Sequence, residues 1–314
     1  YPYLMQASYN SLRQRILWEL FYDQFTLKNI TRLMIAENIT SSIVHRKHSV
    51  DTIFVYFSTT ESVVRQRQKK EKSSCNEYAY MISDYSVSSR LSNKFISSME
   101  CSISSFVDIG PVFRDICKIT TAQKEELLNI LKIDDDSEII SFFDHTIGHI
   151  GVLNKLAYKT FLKTILLCAK NNPNSIFLFK SKKAPENLNQ LSGFDVSEII
   201  ERIRARDNCI YANDLNLTPY QLIGLSDLII SAPMSSVIFE ALSSGKPAIS
   251  FDPERQYKRF NVPSHQIPNL SVYSIDELTY NIKTWQDDIN NTKFKSFLNK
   301  YLQSYIDINE NESS

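Results

Sequence analysis

Residues 226–253, SDLIISAPMSSVIFEALSSGKPAISFDP, constrain this chain more than any other stretch, because they spell strand, tight loop, helix, glycine turn and strand without interruption. Leu228, Ile229 and Ile230 form a short apolar run of the kind that suits a buried parallel strand, and Pro233 in the loop that follows stops it. Ser235 or Ser236 stands where a helix N-cap is needed. Val237, Ile238, Ala241 and Leu242 give that helix its apolar face, and Gly245 is expected to end it. Lys246 and Pro247 lead into a second buried strand over 248–251, closed by Asp252 and Pro253. A helix N-terminus at the carboxyl end of a parallel strand presents free N–H groups and a partial positive charge, so the loop is an expected seat for phosphate oxygens. Glu240, one turn into the helix, is within reach of a ribose hydroxyl. The competing reading leaves both serines as caps and Glu240 on a solvated helix face.

The same grammar extends upstream. A helix over 121–131 and the acidic hinge Asp134-Asp135-Asp136-Ser137 precede a strand over 138–143 that ends in Asp144-His145-Thr146. Then come a helix over 153–171, a strand over 175–179 ending in Lys180-Ser181-Lys182-Lys183, a helix over 196–206, a strand over 209–212 and a helix over 218–225. Strands and helices that alternate in this way predict α/β architecture with a parallel, doubly wound sheet, whose ligand lies beyond the carboxyl ends of the strands. Asp144, Lys180 and Ser235 all fall at such ends. Asp144 terminates an apolar strand, where an unpaired charge is costly without a purpose; capping of the next segment is its alternative role. His145 and His149 stand close to it in sequence, and the lysines either neutralise phosphate or form an exposed basic loop.

The first half reads less clearly. Residues 9–25 carry Leu12, Ile16, Leu17, Leu20 and Phe21 at helical spacing, and a strand over 51–57 runs into the polar loop Ser58-Thr59-Thr60-Glu61. An apolar segment over 78–82, a Ser/Arg-containing stretch over 84–98 and a strand over 105–109 follow, fewer strands than a full doubly wound half needs. Glu61 or Asp84 is the candidate general acid/base here, beside an ordinary loop role. The basic loop His45-Arg46-Lys47-His48 carries the same two readings. The expected division is 1–132, an α/β domain that is reduced or truncated; 137–270, the ligand-binding domain; and 271–314, helices that pack back on the body.

Composition removes several classes of function. Lys+Arg and Asp+Glu number 35 each, so no global field favours nucleic acid, and the basic stretch 65–72 reads as a solvated face with membrane-surface or acidic-glycan contact as its alternative. The five cysteines, Cys75, Cys101, Cys117, Cys168 and Cys209, are scattered and unpaired in spacing, which fits reduced thiols in a cytosolic setting and not a zinc site. Asp134-Asp135-Asp136 precedes its strand instead of following it, on the wrong side of the sheet for a donor-bound divalent ion, so no metal cofactor is expected. With six glycines there is no phosphate-cradling G-x-x-x-x-G-K or G-x-G-x-x-G, and no G-x-S-x-G elbow. No apolar run approaches the ~20 residues that cross a bilayer, and no signal peptide opens the chain. A start at Tyr-Pro-Tyr instead of Met is consistent with a piece of a longer protein.

Residues 137–260 resemble the C-terminal nucleotide-binding domain of GT-B-fold glycosyltransferases of bacterial surface-carbohydrate synthesis, in which one strand ends in a Pro-x-Ser-Ser or Pro-x-Thr-Ser loop and the next in Asp-Pro. The hydroxyl pair is similar to the one that holds the phosphate of a CMP-linked sugar in sialyl- and Kdo-transferase-like enzymes. A His-Pro pair common in the sialyltransferase-like relatives is replaced here by the Lys-x-Lys strand end. The resemblance implies two Rossmann-like domains and metal-independent transfer from a nucleotide-sugar donor. That donor is first a CMP-linked keto-acid sugar such as Kdo and next a UDP-sugar; the acceptor is a capsule, O-antigen or lipopolysaccharide glycan or a lipid-linked glycan. It implies donor binding by Pro233, Met234, Ser235, Ser236, Glu240, Lys180, Lys182 and Thr146. Asp144 attacks or places the sugar, His145 contacts phosphate or acts as base, and Glu61 serves the acceptor side. The implied location is cytoplasmic, with peripheral association at the inner face of the membrane. A non-catalytic GT-B-like glycan- or partner-binding domain and a nucleotide-sugar epimerase are the alternatives.

Overall fold

The computed structural model of the chain describes residues 32–35, 51–56, 82–88, 93, 97, 102–108, 116–145, 147, 153–258, 265, 270–290 and 299. The chain forms two compact units, and its main division falls between Val112 and Phe113. That corrects the expected boundary at 132. Helix α1 (Thr121–Leu131) belongs to the second unit because Leu127, Leu128 and Leu131 are buried there, and its start is closed by a capping box between Thr120 and Gln123.

In the first unit β1 (Arg32–Ile35), β2 (Asp51–Tyr56), β3 (Ile82–Ser88) and β4 (Ser102–Asp108) form a parallel sheet in the order β1-β2-β3-β4. Two of these strands, β1 and β3, depart from the sequence expectation. The inward side of β3 explains why it was hidden: Ser86 is buried there in place of an apolar residue and donates to Asn93 Oδ1 at 2.9 Å. Asn93 Nδ2 in turn donates to Val107 O and to Asp108 Oδ1. A sheet face held by a polar hub gives no hydrophobic alternation to read.

The second unit is a six-stranded, wholly parallel sheet. Its strands are β5 (Glu138–Phe143), β6 (Ser175–Lys180), β7 (Cys209–Tyr211), β8 (Leu228–Ser231), β9 (Ala248–Phe251) and β10 (Ser271–Val272), in the spatial order β10-β9-β8-β5-β6-β7. Between them run α2 (Lys155–Asn171), α3 (Pro185–Ser192), α4 (Val196–Arg204), a 3-10 turn (Ala212–Leu215), α5 (Pro219–Leu225) and α6 (Ser236–Ser243), with α7 (Ile275–Asn290) at the end. Ile139 to Phe143 are buried without a break, as a strand covered on both faces must be. Ala157, Tyr158, Phe161, Leu162, Ile165 and Cys168 form the buried stripe of α2, and Phe161 meets Phe142 edge to face at 5.9 Å. Helix α3, missed in sequence because its PENLNQLS is largely polar, begins with Pro185 at its first turn and ends on Gly193 at φ 71°, the left-handed cap that glycine takes without strain. Trp285 on α7 donates to Glu138 Oε1 at 3.0 Å, which ties that helix to the start of β5. No helix among the described residues is long and apolar enough to cross a membrane.

Candidate functional site

The chain leaves β5 toward β6 and β7 on one side, then returns to the other side of β5 for β8, β9 and β10. Crossovers therefore diverge between β5 and β8, and the carboxyl ends of those two strands flank the crevice where a doubly wound sheet takes its ligand. Register brings the candidate residues to this edge. Phe143 is paired with Lys180 on one side and with Ser231 on the other. Asp144 thus emerges between the lysine turn and the serine loop, and the Ala232 N–H donates to Phe143 O at 2.9 Å.

Asp144 is 6% exposed. Its Oδ2 accepts from the Tyr158 hydroxyl at 2.9 Å, and its Oδ1 accepts from the backbone N–H of Lys182 at 2.6 Å. Burial pushes its carboxyl up to about 7, against the opposing pull of those two donors and of the charges on Lys182 and Lys180. Burial lowers the Lys180 ammonium, and Asp144 partly restores it. Each carboxylate oxygen thus accepts one hydrogen bond from the protein, which fixes the orientation of the group and leaves each oxygen a further lone pair. His145 follows, half-buried, just beyond the strand.

The turn at the end of β6 is bound from the opposite side as well. Ser181 is buried; its N–H donates to Asn213 Oδ1 and its carbonyl accepts from Asn213 Nδ2. Lys180 and Lys183 are half-buried and Lys182 is exposed. Sequence reasoning missed Tyr158, Tyr211 and Asn213, and no local signal marks them: Tyr158 lies inside the apolar stripe of α2, Tyr211 closes the short strand β7, and Asn213 lies in the 3-10 turn after it.

The serine loop differs from the simple expectation. Ser235 is the N-cap of α6, 5% exposed, and its Oγ accepts the Val237 N–H at 3.3 Å. Pro233 and Met234 are buried beside it, and Met234 sits at φ 62°, a left-handed conformation that costs a non-glycine residue and turns the chain sharply into the helix. Ser236 is half-buried. Glu240 is 7% exposed, which rules out a solvated face, and burial raises its carboxyl while the nearby Ser236 hydroxyl opposes that. It lies near Cys117 and Tyr220, both pushed up to about 12 by burial first and by Glu240 next. Asp252, at the end of β9, accepts the N–H groups of Gln256 and Tyr257 and so folds its own turn. Thr146, Glu61, Ser58, Thr59, His149 and the loop 45–48 lie outside the described residues, and Asp84 lies within β3.

Solved structures share this architecture. A variant of the wall teichoic acid polymerase TagF soaked with CDPG superposes with a TM-score of 0.58 over 87% of this chain and 67% of its own, at 12% identity. The S. aureus MnaA–UDP structure gives 0.58 over 97% and 78%, at 13% identity. UDP-GlcNAc 2-epimerase from Neisseria meningitidis bound to UDP-GlcNAc gives 0.53 over 90% and 74%, at 15% identity. At such identities the likeness is one of fold, and the fold is the α/β, GT-B-like one expected from the sequence. No curated protein matches the sequence. Over residues 1–281 it does match the family of polysaccharide biosynthesis PFTS motif proteins, and with most of its length inside that match the chain belongs to that family.

Proposed function

We propose that this protein is a metal-independent glycosyltransferase of polysaccharide biosynthesis, which takes a nucleotide-activated donor at the carboxyl edge of the six-stranded sheet and passes its sugar to a glycan or lipid-linked glycan. One observation carries the reading: the pairing of Phe143 with both Lys180 and Ser231 sets a lysine turn and a helix start on either side of the divergence of the crossovers. Donor phosphate sits at the first turn of α6, where unbonded N–H groups and the helix dipole favour an anion. Ser235 keeps its proton for that anion, since its oxygen serves the cap as acceptor. Lys180 and Lys182 add charge, Glu240 meets the ribose, and His145 contacts phosphate or takes the acceptor proton. Fixed dipoles and ammonium groups stabilise the departing nucleotide in place of a cation.

Two lysines at the sheet edge that also carries a helix start suit a diphosphate. UDP- and CDP-linked donors are therefore the first to test, and a CMP-linked keto-acid sugar such as Kdo the second. Titration calorimetry of the chain with UDP, CDP, CMP and GDP tests the reading: micromolar to millimolar binding of one of them is expected, and no binding of any removes it in favour of a non-catalytic glycan- or partner-binding module. The similarity to an epimerase bound to UDP-GlcNAc supports a second reading, epimerisation of a nucleotide sugar. Product analysis without acceptor separates the two, since only the epimerase turns over alone.

A further inference from the structure

Three lysines in the four residues 180–183 repel one another, and a turn this cationic at the end of a strand is ordinarily loose. Here it is pinned on both flanks. From β5 and α2, Asp144 takes the Lys182 N–H at 2.6 Å while Tyr158 holds its other oxygen, and the Asp144 N–H donates to Lys180 O at 3.3 Å. From β7 and the 3-10 turn, Asn213 takes both backbone groups of Ser181. Ser181 Oγ gives its proton to Lys183 O at 2.7 Å, so the Tyr211 hydroxyl, 2.6 Å away, is the donor in that pair. The ring of Tyr211 is covered by the Arg204 guanidinium at 5.1 Å, itself bound to Asp214. A buried carboxylate is an expensive way to close a turn unless the turn must hold its shape.

We infer that Asp144 is the positioning residue of this turn: its carboxylate, gripped by Tyr158 and the Lys182 N–H, holds Lys180 and Lys182 at fixed points facing the anionic part of a nucleotide donor. The inference deepens the functional reading above and rests on it for the identity of the anion. Ionised Asp144 is a strong acceptor for the Lys182 N–H; the proton that it takes near neutral pH weakens that bond and loosens the turn. The groups that face it are Lys180, Lys182, Tyr158 and Tyr211, with His145 next in the chain. Binding of a nucleotide to lysines and histidine ordinarily strengthens in acid, so a latch of this kind works against the usual trend.

Selective 15N-lysine labelling of the full chain, with Lys182→Arg to identify the resonance, reads the Lys182 amide directly. In the wild type its proton resonance is expected to move upfield as pH falls from about 8 to 6, with a midpoint near 7. Asp144→Asn is expected to flatten the response, and His145→Gln to leave it in place. Tyr158→Phe, which keeps the ring packing, is expected to raise the midpoint by removing a bond to the ionised form. A flat wild-type response, or the same response in Asp144→Asn, overturns the inference; should that variant fail to fold, an unmoved midpoint in Tyr158→Phe does so. UDP affinity at pH 8 is expected to fall roughly 3- to 10-fold in Asp144→Asn, equivalent to weakening a charge-assisted hydrogen bond to a neutral one, and unchanged affinity also overturns it. If the wild type binds no UDP, CDP, CMP or GDP, the functional reading falls and the amide titration still decides the latch.

Discussion

Asp144 is a residue whose service is set against its stability. Its value in the fold, about 7, lies above the unfolded 3.8, so its contribution to stability is fully present below the unfolded value and is lost as pH rises through the folded one. Asp144→Asn removes that loss. Relative to the wild type, the variant is expected to gain roughly 1–4 kcal/mol in unfolding free energy between pH 4 and pH 8, read by urea unfolding at the two pH values. Glu240 offers a sharper test of the proposed donor recognition: Glu240→Gln keeps the shape but would weaken acceptance of a ribose hydroxyl. UDP affinity is expected to fall about 10-fold, while 2′-deoxy-UDP affinity, measured by the same calorimetry, changes little. At this scale the sequence was legible where chemistry coincides with punctuation. Asp144, Lys180 and Ser235 each end a strand or begin a helix, and the fold brings all three to one edge. The partners that define their roles, Tyr158, Tyr211 and Asn213, come from distant elements, and the left-handed turn at Met234 is invisible because methionine has no preference for it.

Among the elements, β5, β6, β8 and β9 announced themselves as apolar runs, since strands buried on both faces have no polar alternation to confuse them. Polar elements hid: β3 turns a serine inward to Asn93, and α3, PENLNQLS, offers few apolar residues to read. Helix α5 shows a constraint that only packing reveals. A Cβ at Gly224 would stand 2.6 Å from Cys117 O and 2.7 Å from Ile119 Cγ2, so α5 lies against the segment that enters the second unit with no room for a methyl group. Gly224→Ala is expected to cost about 1–3 kcal/mol through that clash, more than its gain in helix propensity. A fall of several degrees in melting temperature by calorimetry checks it.

Over the whole molecule, two parallel sheets and a doubly wound second unit were within reach of sequence reasoning, because alternating strands and helices leave few other arrangements. The order of the strands was not, and neither was the division at Phe113, since α1 is assigned to its unit by contacts and not by any linker composition. Metal independence is testable at this scale. Excess EDTA is expected to leave UDP affinity within about 2-fold if, as proposed, ammonium groups and helix dipoles carry the phosphate; a loss beyond 10-fold in calorimetry would falsify that account.

The sheet order also has a temporal consequence. Phe143 and Ser231, neighbours across the crevice, are 88 residues apart in the chain, and β6 and β7 are added on one flank before β8 can dock on the other. A nascent polypeptide that has just released β7 and the 3-10 turn from the ribosome carries a completed lysine turn and an open edge on β5, with no opposing wall. Nucleotide bound as proposed would meet only half a cradle until β8 and α6 arrive, so any stabilisation of folding by such a ligand would act on the last steps of assembly and not on the first.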